Sequence, residues 1–147
     1  MTFRQPETEE NRLAERRARN LIEWFWDATT EKIEAEGYHP DFLVHRDGKL
    51  IAVCEFKERS NRLLRYPTSN ICKKKFYACL TMAQELGVPF VYLAKFTNGL
   101  YYFACTDDSQ IVNVGVWGRT DRGDPFDQSE AIGMPSKLFK AIRFKIQ

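Results

Sequence analysis

The sequence predicts an α/β fold in which a mixed β-sheet is flanked by helices. The prediction depends on three observations: a long amphipathic segment near the start, two hairpin patterns with Gly-containing turns, and a second amphipathic segment between the hairpins. The resulting order of helix, strand, strand, helix, strand, strand is typical of a sheet whose faces are covered by helices.

Turn residues and hydrophobic spacing set the boundaries of these elements. Asp47-Gly48 and Asn98-Gly99 each separate two apolar runs, as in hairpins. Gly87 stops the second helix, and Ser69 is expected to cap its start. The predicted elements are a helix over about residues 7–27 that ends by residue 37 at the latest, a hairpin with strands at 41–45 and 50–57, a polar segment at 58–68, a helix over 70–86, a hairpin with strands at 90–96 and 100–105, and strands at 111–117 and 138–145.

Length and composition bound the class of protein. The chain has 147 residues, 44% of them hydrophobic and 29% charged, which fits one globular domain over residues 1–147. The net charge of +2 means that a case for nucleic-acid binding must depend on where the basic residues lie. No stretch approaches the roughly 20 apolar residues of a membrane span, and the start is not a secretory signal. We therefore expect an intracellular protein that is not secreted and has no membrane partner.

Two ionisable residues stand at the end of the most apolar strand. Glu55 and Lys57 follow the apolar run 50–54, and side chains two residues apart share one face of a strand. A strand that is apolar on both faces is expected to be central and buried. Asp41 opens the partner strand, and a tight hairpin brings it beside Glu55 to within a residue or two. The pattern predicts two carboxylates and an ammonium at one edge of the sheet.

Two carboxylates at this edge favour a bound cation. They repel each other, and burial raises their pKa unless a positive charge compensates. Oxygen ligands suit Mg²⁺ or Mn²⁺, which would neutralise developing charge on a phosphate and activate a water. Lys57 could position that water or act as its base. The alternative is a solvated ion pair between Glu55 and Lys57, with Asp41 capping a turn.

This motif resembles the signature of a known superfamily. Pro40-Asp41, thirteen intervening residues and Glu55-Phe56-Lys57 are similar to the motif of the PD-(D/E)XK phosphodiesterases, which include restriction enzymes, Holliday-junction resolvases and phage recombination nucleases. The resemblance covers about residues 7–105 by element order and implies a restriction-endonuclease-like core. It also implies that Asp41, Glu55 and the Phe56 carbonyl bind the metal and that Lys57 assists the attacking water.

The same resemblance implies two further contributions to the site. The family often adds an acidic residue from the first helix, and Glu10 is the first choice because it shares a helical stripe with Leu13 and Trp24; Glu15 and Glu23 remain open. The second helix often lends a Lys or Gln. Lys73 or Lys74 could serve, and Lys75 then points elsewhere.

Basic residues are concentrated directly after Lys57. Phosphate contacts by Lys and Arg are what DNA binding without sequence preference requires, and Tyr66 could stack on bases or pack internally. The alternative is a solvated loop and helix start. The residues expected to contact DNA are Arg59, Arg62, Arg65, Lys73 and Lys74.

The second half of the chain adds a finer likeness. Tyr66-Pro67-Thr68, Gly87-Val88-Pro89-Phe90 and Arg119–Asp124 are similar to segments of small phage-encoded members of this superfamily. Arg119–Asp124 is otherwise expected to form a turn held by Asp–Arg pairs. The stretch 107–130 is net acidic and is expected to face away from DNA.

The four cysteines do not change this assignment. None forms a C-x-x-C pair, so reduced and mostly buried thiols are expected rather than an iron–sulfur cluster. The sequence therefore predicts an endonuclease that hydrolyses DNA with Mg²⁺ or Mn²⁺. The rival is a catalytically silent module of the same fold that binds DNA or a protein. A homodimer remains open.

Overall fold

The computed structural model describes residues 8–118 and 128–142, which form two α-helices, nine β-strands and a short 3-10 helix. In chain order the elements are α1 (Glu9–Phe25), β1 (Thr29–Lys32), β2 (Phe42–Arg46), β3 (Lys49–Glu58), β4 (Thr68–Cys72), α2 (Lys73–Leu86), β5 (Phe90–Phe96), β6 (Gly99–Cys105), β7 (Val112–Gly118), β8 (Gln128–Pro135), the 3-10 helix (Ser136–Leu138) and β9 (Lys140–Ala141).

The strands form two sheets. The larger sheet has the order β1-β2-β3-β5-β6-β9, in which β3 and β5 run parallel and the other described neighbours run antiparallel. The smaller sheet has the order β4-β8-β7 and is antiparallel. The predicted mixed sheet with flanking helices is confirmed, and β3 lies in its interior as its two apolar faces indicated.

The two faces of the large sheet are covered by different elements. On one face, Ala18 and Ile22 of α1 pack in a buried cluster with Phe42 and Cys54. On the other face, α2 and the small sheet pack in a second buried cluster that includes Val53. Because side chains alternate along a strand, Glu55 and Lys57 lie on the same face as Val53, the face covered by α2.

The start of the second helix differs from the prediction. Ser69 does not cap α2; it lies within β4, which pairs with β8. The helix begins at Lys73, and its N-terminal flanking residue, Cys72, makes no side-chain capping hydrogen bond. Pairing of backbone groups with β8, a strand that the sequence pattern did not predict, outweighs the local capping preference of Ser69.

Other boundaries also shift. The first helix ends at Phe25, and the chain then forms β1, which was not predicted. The strand expected over 138–145 is represented by β9, preceded by the 3-10 helix, and residues 143–147 lie outside the described part of the chain.

Three of the four cysteines lie in the core. Cys54, Cys79 and Cys105 are buried, as predicted for thiols in the core. Within residues 8–118 and 128–142, no helix is long and apolar enough to cross a membrane.

Candidate active site

The hairpin places Asp41 beside the end of β3. Phe42 pairs with Cys54 in the register of β2 and β3. The Asp41 amide donates to the Cys54 carbonyl at 2.8 Å, and the Phe56 amide donates to Asp41 Oδ2 at 2.9 Å. The predicted juxtaposition of Asp41 with the Glu55–Lys57 segment is therefore confirmed, to within one residue of register.

The segment that precedes Asp41 is held by a buried histidine. His39 is 7% exposed, and its ring nitrogens lie 2.6 Å from the Pro40 carbonyl oxygen and 2.8 Å from the Ala35 carbonyl oxygen. The Ile33 amide donates to the Asp41 carbonyl at 2.9 Å. These contacts fix the backbone that presents the Asp41 carboxylate to β3.

Glu55 is a buried carboxylate between two ammonium groups. It is 1% exposed, with Lys75 Nζ 3.2 Å from Oε1 and Lys57 Nζ 3.9 Å from Oε2. Burial raises the pKa of Glu55 to about 8, and the Asp41 carboxylate contributes to that rise, while Lys75 and Lys57 oppose it. The lysines therefore offset only part of the cost of burying this charge.

The contact between Lys75 and Glu55 is an ion pair rather than a well-formed hydrogen bond. Although the two atoms are 3.2 Å apart, Glu55 Oε1 has no partner that meets hydrogen-bond geometry. The separation is short enough for a strong charge interaction, whereas a hydrogen bond also requires favourable angles. Oε1 thus retains capacity to accept another donor or a cation.

The lysine from α2 is not the one expected. Lys75, which is 7% exposed, faces Glu55, whereas Lys73 forms an ion pair with Glu130 at 3.2 Å and Lys74 is exposed. The expectation that Lys73 or Lys74 joins the site is corrected by this geometry. A signal was present in the sequence: Lys75 stands four residues before Cys79, on the edge of the apolar stripe of α2.

The three candidate acids of α1 have different surroundings. Glu10 is exposed in the first turn of α1, so its placement does not support the expectation that it completes the site. Glu15 is buried and bonds to Lys32 at 2.7 Å, on the face of the sheet that α1 covers. Glu23 accepts hydrogen bonds from the amide and hydroxyl of Thr30, both at 2.9 Å.

The donors at this edge fit a hard divalent cation with several waters. Asp41 and Glu55 supply carboxylate oxygens, and Glu55 Oε1 is buried without a hydrogen bond. The Phe56 amide donates to Asp41, and because the carbonyl and amide of one residue point to the same side of an extended strand, we expect the Phe56 carbonyl on that side too. Among the described residues no group of three or more His, Cys, Asp or Glu side chains could hold a metal. Two carboxylates and a carbonyl suit Mg²⁺ better than a softer metal.

The basic residues expected at DNA have different surroundings. Arg62, Arg65 and Lys74 are exposed. Arg59 is directed inward, because its guanidinium donates to the hydroxyl of the buried Tyr92 at 2.8 and 3.1 Å and also bonds to the Asn70 carbonyl.

Residues 119–127 of the acidic stretch 107–130 lie outside the part of the chain that the structure describes. The segment Arg119–Asp124 lies outside the described residues. Glu130, at the end of that stretch, is exposed and pairs with Lys73 at the start of α2.

The mixed sheet is flanked by helices, and its central strand ends in Glu-Phe-Lys beside an Asp. These features define an α/β protein of the restriction-endonuclease-like fold. A solved structure supports this class: Hjc from Archaeoglobus fulgidus, a Holliday junction resolvase from an archaeal hyperthermophile, superimposes with a TM-score of 0.54. The match covers 84% of this chain and 95% of that one at 13% identity, so it is evidence for the fold alone.

The sequence itself places the chain more narrowly. A family model described as "Phage putative PDDEXK endonuclease" matches residues 2–142, and the chain belongs to this family. The resemblance to PD-(D/E)XK proteins is thereby confirmed. No curated protein sequence matches the chain significantly.

Proposed function

We propose that the chain is an endodeoxyribonuclease that hydrolyses phosphodiester bonds in DNA with the help of Mg²⁺ or Mn²⁺. The observation that supports this most directly is Glu55, a carboxylate that is 1% exposed and has its pKa raised to about 8 beside Asp41. A buried carboxylate with this pKa destabilises the folded chain at neutral pH, so the fold itself gives no reason to retain it. Cation binding gives such a reason.

Each residue of the site has a distinct role in this proposal. Asp41, Glu55 and the Phe56 carbonyl hold the cation, which supplies positive charge to the phosphate and lowers the pKa of the attacking water. The Phe56 amide orients the Asp41 carboxylate. Lys57, whose side chain is 47% exposed, extends from the same edge toward solvent, where it orients the water or accepts its proton. Lys75 balances the charge of Glu55 when no cation is bound.

DNA is the substrate that the surroundings of the site favour. The exposed Arg62, Arg65 and Lys74 provide positive charge in the loop and helix that follow Lys57 along the chain, and contacts to the phosphate backbone require such charge. Glu10 is left out of the proposed cation site because it is exposed in the first turn of α1.

Cleavage assays test the proposal. Linear duplex, supercoiled, single-stranded and branched DNA would be incubated with the protein in Mg²⁺, in Mn²⁺ and in EDTA. Wild type is expected to cut at least one of them only with a divalent cation, and Asp41→Asn and Glu55→Gln are expected to be inactive. Glu58→Gln is the matched control, since Glu58 is an exposed carboxylate on the same strand. Cleavage that survives in both site variants would refute the proposed mechanism.

The silent binding module remains a second candidate, and one observation favours it. Both oxygens of Glu55 face an ammonium group, so the protein neutralises part of this charge without a cation. A thermal-shift titration with Mn²⁺ separates the candidates, because a ligand that binds only the folded state raises Tm. The nuclease requires a Tm increase in wild type and Glu58→Gln that disappears in Asp41→Asn. A silent module predicts DNA binding with no cation-dependent increase.

A further inference from the structure

The segment between β3 and β4, residues 59–67, forms a well-anchored loop at the end of the sheet where Lys57 lies; we call it the tip loop. Its first half is tied to the β5–β6 turn, because the Thr97 amide donates to the Asn61 carbonyl at 3.0 Å and the Leu63 amide donates to Asn98 Oδ1 at 2.9 Å. The tip loop therefore has a defined backbone rather than a loose connection.

The second half of the tip loop is tied to the residue that follows β8. Ser136, which is buried, donates from its hydroxyl to the Tyr66 carbonyl at 2.7 Å and from its amide to the Pro67 carbonyl at 2.9 Å. With both halves anchored, the side chains at the centre of the loop are presented from a fixed frame.

The centre of the tip loop is a turn that exposes a leucine. The Arg65 amide donates to the Arg62 carbonyl at 3.1 Å, and Leu64, the third residue of this turn, has φ = +75°. That region of backbone conformation favours Gly or Asn at this turn position. The Leu64 side chain is 68% exposed. Leu64 is therefore an exposed apolar side chain at a backbone position that does not favour it, which makes it a candidate for an external contact.

An aromatic ring and two cations flank this leucine in the sequence. Tyr66 is 54% exposed, and the Arg65 guanidinium lies 5.1 Å from its ring centroid. Arg62 is exposed on the other side of Leu64. The tip loop thus combines an apolar side chain and an aromatic face with positive charge, a combination that suits a nucleic-acid base flanked by phosphates.

We propose that the tip loop contacts the exposed face of a base at an interruption of duplex DNA, such as a gap, a nick or a branch point. Leu64 and Tyr66 lie against the base, and Arg62 and Arg65 contact the neighbouring phosphates. Apolar side chains that enter a base stack must break stacking, which costs least where the stack already ends. This inference rests on the proposed action on DNA and adds a substrate class to it.

The tip loop is joined along the chain to two elements that carry residues of the proposed site. The loop starts directly after β3, which ends at Glu58, and it returns through β4 into α2, whose Lys75 contacts Glu55. Both ends of the loop are therefore connected to the proposed site, and we expect DNA to be cut within a few nucleotides of the interruption.

Binding measurements in EDTA test the inference independently of cleavage. A continuous duplex and a gapped duplex of the same length and composition would be compared at one fixed salt concentration, with 2-aminopurine at the edge of the gap. Wild type is expected to bind the gapped duplex more tightly and to change the 2-aminopurine fluorescence. Leu64→Gly and Tyr66→Ala are each expected to lose roughly tenfold in affinity for the gapped duplex, the scale of one lost stacking contact, with little change for the continuous one.

Leu64→Gly keeps the test interpretable, because Gly adopts a positive φ without strain and the variant is expected to keep or raise Tm. Leu86→Ala is the matched control: Leu86 is 48% exposed at the opposite end of α2 from Lys75. Equal binding of both duplexes by wild type, no binding of either, or an unchanged preference in both variants would each overturn the inference. A second copy of this chain is the rival occupant of the tip loop, so the inference would also be overturned if analytical ultracentrifugation showed self-association of wild type that Leu64→Gly loses while the variant keeps the DNA preference. Failure of metal-dependent cleavage alone would instead refute the nuclease proposal.

Discussion

Two ion pairs start in the first turn of α2 and have the same N–O distance, yet their surroundings are opposite. Lys75 lies 3.2 Å from Glu55, with side chains 8% and 1% exposed, and Lys73 lies 3.2 Å from Glu130, with side chains 44% and 68% exposed. The first pair joins α2 to the central strand β3, and the second joins α2 to β8 at the surface. Equal distances therefore do not imply equal energies, because water screens one pair and is excluded from the other.

The largest expected difference between the two pairs is in catalysis. Glu55→Gln is expected to lower the rate of metal-dependent DNA cleavage by about 10²–10³-fold or more, the scale of removing one electrostatic element of transition-state stabilisation. Glu130→Gln removes the same charge from the surface pair and is expected to leave the rate within about twofold. Initial rates under single-turnover conditions measure both. Similar losses of cleavage rate in Glu55→Gln and Glu130→Gln would contradict the claim that only the buried pair takes part in catalysis.

The next effect is a pH dependence of stability that only the buried pair produces. Burial raises the pKa of Glu55 from 4.5 to about 8, so between these values the folded chain holds a proton that the unfolded chain has released. Stability of the cation-free protein should therefore fall as pH rises through this window, by about 3–5 kcal/mol in total. Glu55→Gln should remove this decrease and be more stable than wild type at pH 8, whereas Glu130→Gln should retain it. Urea unfolding in EDTA at pH 5, 6.5 and 8 provides the measurement.

Loss of the buried lysine should have a smaller effect that depends on pH. At pH 9 the Glu55 carboxyl is mostly ionised, and Lys75→Met is expected to destabilise the cation-free protein by about 1.4 kcal/mol, the free energy of one pH unit above a pKa of about 8, because the buried carboxyl takes up a proton when it loses its nearest positive partner. At pH 5 Glu55 holds a proton, and the cost should nearly vanish. A constant cost at both pH values would indicate that Lys75 contributes through packing rather than through charge.

The smallest effect is expected for the surface pair. Lys73→Met should change stability by less than about 1 kcal/mol, since both side chains are largely exposed and lose conformational entropy when they pair. Raising the salt concentration to 1 M should abolish even this difference, because the screening length falls to about 3 Å. Chemical denaturation at low and high salt is the relevant comparison, and a cost near that of Lys75→Met would contradict it.

The same two pairs show which parts of the molecule were predictable. Asp41, Glu55 and Lys57 could be brought together from the sequence because one hairpin with a Gly-containing turn fixes their register locally. The position of Lys75 four residues before Cys79 favoured it over Lys73 and Lys74, but this pattern alone did not decide the choice, because the face of α2 that is buried depends on elements more than fifty residues later in the chain, such as Ile132 and Met134 of β8. Local pattern determines the hairpin; tertiary packing determines the rotation of the helix.

The small sheet was missed for a related reason. Ser69 has the preference of a helix cap, and Gly133 and Pro135 give β8 little strand character, so neither strand of the β4–β8 pair is evident alone. The two strands are stabilised by the hydrogen bonds between them, which neither sequence segment reveals by itself. A Cβ at Gly133 would lie 2.8 Å from Thr68 Cβ, which shows how closely the two strands approach.

The direct passage from β4 into α2 has a consequence for how the molecule is made. Cys72 ends the strand and Lys73 begins the helix, so the pairing of β4 with β8 sets the rotation of the turn that bears Lys75. During translation, the hairpin with Asp41 and Glu55 leaves the ribosome long before residues 128–135 exist. The two carboxylates can therefore form their edge early, but the ammonium that faces Glu55 is fixed only after β8 has been synthesised, so assembly of the full charge arrangement requires nearly the whole described chain.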